Sequence, residues 1–184
     1  SSILNFQTVR FVPGNDQPYI LFLPTYAATA WYHKRLNNEL QQDLRDTLDE
    51  VEAFALGEYN AALMKGDRLP LKERQQVIEK LARYTSLTPI YIEQTNLRVE
   101  IMRFTKELLR DERRTTGRLD TRFKGIDRDA AGEAWEFDSS LAAITGPYTA
   151  TLNDYVRTEL EFAYRRAGID KVGSGNTGTG DIGA

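Results

Sequence analysis

The sequence contains no cysteine, a single histidine and no long uninterrupted apolar run. Without cysteine, a disulfide framework, a cysteine zinc site and a cysteine nucleophile are all excluded. No apolar stretch approaches the roughly eighteen residues that a membrane-spanning helix needs, so we expect no membrane partner. The first residues, SSILNFQTVRF, lack the basic start and continuous apolar core of a signal peptide. The sequence also starts without methionine, and we expect it to be part of a longer protein.

The 184 residues carry a formal net charge of −3, and 41% of them are hydrophobic. This length fits one domain with a substantial core and is short for two. The small net charge gives no indication of a nucleic-acid or membrane partner at the level of the whole chain. We therefore expect a globular chain that binds neither.

Apolar residues at three- and four-residue spacing predict a mainly α-helical fold. The clearest helix runs from Asp43 to Lys65 and is followed by Gly66, a residue that often ends helices. Further helices are predicted to begin at Pro24, to cover residues 71–84, to start at Pro89 behind a Thr88 cap, to cover residues 97–110, and to run from Pro147 to Leu160.

The remaining segments predict one strand, one loop and one tail. Residues 1–11 contain a short apolar segment that predicts a single strand. A lone strand leaves its backbone groups without partners, so we expect it either to be a residual strand of a larger sheet or to pair with another chain. Residues 12–166 form the predicted helical domain, in which 113–133 is a loop with room for a short hairpin. The glycine-rich residues 167–184 are predicted to be disordered.

His33 is the first candidate for catalysis because it is the only histidine. A nucleophilic triad also needs a hydroxyl or thiol beside the histidine and an acid that orients it. The chain has no G-x-S-x-G elbow that would supply the nucleophile. We therefore interpret His33 as a polar helix residue beside Lys34 and Arg35.

An acidic stretch and the tail glycines were the next candidates for ligand binding. Asp46 and Glu50 lie four residues apart and, with Asp43 and Asp49 nearby, could hold a hard cation weakly. A solvated acidic face is the preferred interpretation, so we predict no metal site. The tail glycines lack the G-x-x-x-x-G-K-[ST] spacing of a phosphate loop, and a linker is the preferred interpretation.

The stretch from Arg98 to Arg128 is locally basic, with Phe104 and Phe123 interleaved, and could contact nucleic acid. Acidic residues are interspersed with the basic ones throughout it, namely Glu107, Asp111, Glu112, Asp120 and Asp127. We therefore predict a salt-bridged surface rather than a track for phosphates.

Six segments follow one another in the chain: SSILNF, PYILFLPTYAATAWYHKRL, FALGEYNAALMKGDRLP, LARYTSLTPIYIEQTNLRV, RFTKELLRDERRTTGRLDTRFKGID and ITGPYTATLNDYVRTEL. Their order and density, from Ser1 to about Glu161, resemble bacterial members of the serine carboxypeptidase family. Proteins of this family are similar to α/β-hydrolases. In them a nucleophile elbow is followed by a strand, then by a large helical lid, and then by the triad Asp and His.

The resemblance implies that Ser1–Phe6 is the end of the strand after the nucleophile and that residues 19–160 are the lid. The family's nucleophile, acid and histidine have no counterpart here. The chain alone is therefore predicted to be inactive, with no catalytic residue, no metal and no cofactor. Its parent would be a serine-type carboxypeptidase that is secreted or periplasmic, with a peptide substrate and the remainder of the hydrolase domain as partners of the lid. The tail departs from the family.

Asn5, Tyr26 and Trp31 are the predicted substrate-pocket residues, because they lie where the strand passes into the lid. Packing in the core is the alternative for each of them. The alternative function is a stand-alone helical protein-interaction module that docks a partner on an exposed apolar face. A more remote hypothesis is a helical domain that binds nucleic acid through Arg98 to Arg128.

Overall fold

The computed structural model describes residues 10–159, and these residues are mainly helical. The helices are α1 (Gln17–Tyr32), α2 (Leu44–Phe54), α3 (Asn60–Lys65), α4 (Leu71–Thr85), α5 (Pro89–Gln94), α6 (Ile101–Glu107) and α7 (Ser139–Thr158). Two short strands, β1 (Thr115–Thr116) and β2 (Lys124–Gly125), form an antiparallel hairpin. The chain divides within α7, at Ala142, into two units, and the first of these contains the core. The mainly α prediction and the short hairpin are confirmed.

The predicted helix from Asp43 to Lys65 is confirmed, with a π turn (Ala55–Tyr59) that joins α2 to α3. Asp43 caps it, since its carboxylate accepts a hydrogen bond from the backbone N–H of Asp46 at 3.0 Å. Gly66 follows with a φ of +52°, a conformation that suits glycine because it lacks a Cβ atom. These signals are local, which is why the sequence predicts both ends of the helix.

Helices α4 and α5 also begin where the sequence predicts. The hydroxyl of Thr88 accepts a hydrogen bond from the N–H of Tyr91 at 3.2 Å, and Pro89 occupies the first helical turn. Between the two helices Ser86 takes a left-handed conformation with a φ of +61°.

Helix α1 begins at Gln17, seven residues before the predicted start at Pro24. Pro18 occupies the first turn, where a missing N–H costs nothing, and Pro24 lies inside the helix. Pro24 has no N–H and so removes one helical hydrogen bond. The burial of its neighbours Leu23 and Tyr26, which are only 2% and 3% exposed, offsets the stability lost with that bond. The sequence prediction placed the wrong proline at the helix start.

Helix α6 begins at Ile101 rather than at Leu97, because Asn96 and Leu97 adopt positive φ angles of 52° and 65°. Leu97 is nevertheless buried, so its side chain reaches the core without being helical. The periodicity of residues 97–110 correctly identified the apolar face but not the start of the helix.

Helix α7 begins at Ser139, eight residues before the predicted start at Pro147. The carboxylate of Asp138 accepts hydrogen bonds from the N–H groups of Ser140 and Leu141, at 3.0 Å and 3.3 Å. Asp138 therefore acts as the cap of this helix. Pro147 was predicted to be the first residue of this helix, but it lies inside the helix.

The core of the first unit surrounds α1, which packs against α2, the π turn and α4. Large apolar and aromatic side chains from all six of its helices meet there, among them Leu23, Val51, Phe54, Leu63, Val77, Ile78, Leu81, Ile92 and Phe104. Each fully buried side chain of this size stabilises the fold by about 1.5–3 kcal/mol. This shared core lies within the first of the two compact units.

The segment after the hairpin, which begins at Ile126, contacts α6 through a buried ion pair. The ammonium group of Lys106 lies 2.6 Å from the carboxylate of Asp127, and the two side chains are 3% and 4% exposed. Lys106 also donates to the carbonyl oxygen of Asp129 at 2.7 Å, and the indole of Trp135 donates to the hydroxyl of Thr105 at 2.7 Å. Side chains therefore hold this segment, which contains no helix.

The predicted N-terminal strand, apart from Arg10 and Phe11, and the predicted disordered tail lie outside the described residues. Within residues 10–159, no helix is both long enough and apolar enough to cross a membrane.

Candidate functional site

Tyr26, one of the three predicted pocket residues, lies in the core. Its side chain is 3% exposed, and its ring stacks on Phe104 with the ring centroids 4.2 Å apart. Its hydroxyl donates to the carbonyl oxygen of Val99 at 3.3 Å. Burial raises the pKa of Tyr26 well above the usual tyrosine range, so the hydroxyl stays protonated as a donor. These contacts give Tyr26 a positioning role between α1 and α6.

Trp31 lies on a different side of α1, about 140° around the helix axis from Tyr26. Its ring is partly buried against the core, and the ammonium group of Lys34 lies 4.4 Å from the ring centroid. Its indole N–H is buried without a hydrogen-bond partner in the described part of the chain. This N–H is buried away from solvent, so it is not presented to a bound group, and the structure does not bring Trp31 together with Tyr26. Asn5 lies outside the described residues.

His33 ends α1 and connects it to the hairpin. Its Nε2 lies 2.7 Å from the carbonyl oxygen of Thr121, which can only accept, so Nε2 carries the hydrogen. Beside it, the hydroxyls of Thr29 and Thr121 are hydrogen-bonded at 2.9 Å. Burial lowers the pKa of His33, and the bond to Thr121 only partly opposes this effect. His33 is thus a half-buried crosslink between distant segments rather than a polar helix residue beside Lys34 and Arg35.

The basic stretch forms ion pairs, as the sequence predicts. Its partners within the described residues include Arg98 with Asp16, Arg103 with Glu133, Lys106 with Asp127, Arg110 with Glu107, Arg122 with Asp120, Lys124 with Glu112 and Arg128 with Glu136. The prediction of a salt-bridged surface is confirmed. Arg113, Arg114 and Arg118 make no ion pair with any residue between positions 10 and 159.

The acidic stretch has structural contacts of its own. Asp43 caps α2, Asp49 pairs with Arg45, and Glu50 accepts from the hydroxyl of Tyr84 at 2.7 Å. Among residues 10–159 no group of three or more side chains is arranged to hold a metal ion.

One cavity among the described residues was not predicted from the sequence. It has a volume of about 510 Å³ and lies between the segment before α1, the end of α3 and the segment before α6. Its walls include the rings of Phe11 and Tyr19, the side chains of Leu63 and Leu69, and the charged residues Asp16, Asp67, Arg74, Arg98 and Glu100. Because three distant segments form it, no local sequence pattern could have revealed it.

Comparison of the chain with models of protein families, with curated proteins and with solved structures found no match.

Proposed function

We propose that the chain is the helical lid and substrate-pocket region of a serine carboxypeptidase-like hydrolase and that it is not catalytic by itself. Support comes first from the ordered resemblance of its segments to bacterial members of that family. The helical core of residues 10–142 agrees with this proposal, because a lid must keep its shape as a unit while the active site lies elsewhere.

The observation that carries the proposal is the hydrogen bond between His33 and Thr121. A triad histidine contacts a nucleophile hydroxyl through one ring nitrogen and a carboxylate through the other, but His33 contacts the carbonyl oxygen of Thr121 at 2.7 Å, and within residues 10–159 no hydroxyl or carboxylate is hydrogen-bonded to its ring. Acyl transfer by a serine triad needs a histidine that is hydrogen-bonded to both the nucleophile and the acid. The base would therefore have to come from sequence outside this chain.

As a lid, the chain would wall the substrate pocket and exclude water from the reaction. Trp31 is the better of the two described pocket candidates, because its side chain is only partly buried whereas that of Tyr26 is 3% exposed. Tyr26 would act indirectly by holding α1 against α6.

The test uses the polypeptide encoded by the whole reading frame that contains this sequence. We expect that frame to encode a G-x-S-x-G motif upstream and an Asp and a His downstream, and the polypeptide to release the C-terminal residue of a blocked dipeptide. Trp31→Ala should lower kcat/KM for the dipeptide while a serine-reactive probe still labels the protein. Phe137→Ala, which truncates an aromatic side chain that is 47% exposed, serves as the control. A reading frame without the motif, or one whose product is inactive, would contradict the proposal.

A stand-alone helical interaction module is the second candidate. The observation in its favour is a group of exposed apolar side chains on the hairpin segment: Leu119, Phe123 and Ile126 are 53%, 43% and 63% exposed. In the lid proposal the remainder of the hydrolase domain would cover these side chains. A reading frame that begins and ends with this chain would favour the module.

A further inference from the structure

The cavity beside the start of α1 has the size and composition of a ligand site. Its volume of about 510 Å³ lies within the usual range for small-molecule pockets, roughly 300–1,000 Å³. The rings of Phe11 and Tyr19 meet edge to face in its wall, with centroids 5.2 Å apart. Leu63 and Leu69 add aliphatic surface, so the cavity can cover an apolar stem.

The two arginines in the wall are already neutralised by partners. Arg98 contacts both carboxylate oxygens of Asp16, at 2.6 Å and 2.8 Å. Arg74 contacts both carboxylate oxygens of Glu93, at 3.0 Å and 3.1 Å, and donates to Asn96 at 2.9 Å. Each guanidinium charge is thus balanced by a carboxylate, which argues against an anionic ligand.

The two remaining carboxylates in the wall have no such partner. Neither Asp67 nor Glu100 makes an ion pair or a side-chain hydrogen bond within residues 10–159. Burial raises the pKa of Tyr19 and the nearby carboxylate of Glu100 adds to that effect, so the phenol stays neutral and negative potential reaches the ring. The cavity therefore carries unbalanced negative charge beside aromatic faces, and both features attract a cation.

We infer that this cavity binds an organic cation, namely a primary ammonium or guanidinium group on an apolar stem. The charged group lies against Glu100 and Asp67, and the rings of Phe11 and Tyr19 cover the stem. Such a group is offered both by free alkylamines and by lysine or arginine side chains of peptides. The inference does not depend on the proposed lid function.

The test is a titration of the full chain at low ionic strength, followed by amide NMR. The probes are acetyl-lysine amide, acetyl-arginine amide and pentylamine, with acetyl-norleucine amide as a neutral probe of similar stem length. We expect the cationic probes to bind at least about tenfold more tightly than the norleucine probe and to shift the amides of cavity residues, because charge-assisted contacts are worth about that factor. Pentylamine binding as tightly as acetyl-lysine amide would identify a free amine as the ligand type, whereas weaker pentylamine binding would identify a peptide side chain.

Variants then locate the charge. Asp67→Asn and Glu100→Gln should each weaken binding of the cationic probes by about tenfold. Glu79→Gln removes the same charge from α4, outside the cavity, and should leave binding unchanged. Asp67 lies on an exposed turn, so Asp67→Asn tests the inference even if Glu100→Gln disturbs the start of α6. The inference is overturned if no cation binds, if acetyl-norleucine amide binds equally well, or if neither variant weakens binding.

Discussion

The hydroxyl of Tyr59 donates a hydrogen bond to the carbonyl oxygen of Leu97, 2.6 Å away, across 38 residues of sequence. Both residues are 2% exposed. Leu97 has a φ of +65°, which is uncommon for a residue with a branched side chain. The contact therefore connects the π turn to Leu97, whose backbone conformation leucine disfavours.

Tyr59→Phe should lower the free energy of unfolding by about 1–3 kcal/mol, because it leaves the carbonyl of Leu97 buried without its donor. Tyr148→Phe removes a hydroxyl from a side chain that is 72% exposed and should change stability by less than about 0.5 kcal/mol. Urea denaturation followed by circular dichroism measures both. Equal values for the two variants would show that the bond contributes nothing.

Gly117→Ala should destabilise the chain by about 1–3 kcal/mol through overpacking. An added Cβ would lie 2.5 Å from the Cβ of Ser140 and 2.6 Å from the backbone oxygen of Asp120. Gly57→Ala is the matched control, because a Cβ there meets nothing within 4 Å and the site is helical. Thermal melts should show a lower Tm for Gly117→Ala and an equal or higher Tm for Gly57→Ala. A Gly117→Ala protein as stable as wild type would contradict the close approach of Gly117 to Ser140.

Asp127→Asn should cost about 3–5 kcal/mol, since it leaves the buried ammonium group of Lys106 without its counter-ion. The control is Glu136→Gln, which breaks the ion pair with Arg128. Those two side chains are 57% and 76% exposed, so the expected loss is below about 1 kcal/mol. The midpoints of denaturant unfolding, analysed with one m-value for all variants, measure the difference in stability between the two. Similar losses for the two variants would show that burial of the Lys106 pair is unimportant.

His33 should make stability depend on pH near neutrality. Its folded-state pKa is lowered by burial from the ordinary value of 6.5, so the unfolded chain binds a proton more readily. The free energy of unfolding should therefore fall as the pH drops below about 6.5 and through the lower folded-state pKa.

His33→Gln can still donate to Thr121 but does not titrate. The free energy of unfolding of this variant should therefore change less with pH between about pH 7 and pH 5 than that of the wild type. Lys34→Gln, the control, should keep the wild-type slope. A wild-type curve that rises as the pH falls over this range would contradict the buried, neutral His33.

How far the sequence predicts the structure depends on how local the determinants are. Asp43, Thr88 and Gly66 act within one helical turn, so the ends that they define could be predicted. The start of α6 could not, because Leu97 is held by Tyr59 from a distant segment. Asp138 did carry a local capping signal ahead of α7, but Pro147 offered a competing start.

The candidate site follows the same rule. The pairing of His33 with Thr121 joins residues 88 positions apart and leaves no pattern in the sequence. The cavity near Tyr19 likewise needs three segments to be folded against one another. By contrast, the ion pairs of the basic stretch could be predicted because acids and bases alternate closely there.

The most direct test of the lid proposal compares the chain alone with the polypeptide encoded by its whole reading frame. Both are treated with a serine-reactive fluorophosphonate probe and assayed on a blocked dipeptide with a free C-terminal carboxylate. We predict stoichiometric labelling and hydrolysis for the whole polypeptide, and neither for the chain alone, because within residues 10–159 no hydroxyl or carboxylate is hydrogen-bonded to the ring of His33. Stoichiometric labelling of any serine in the chain alone would contradict the account.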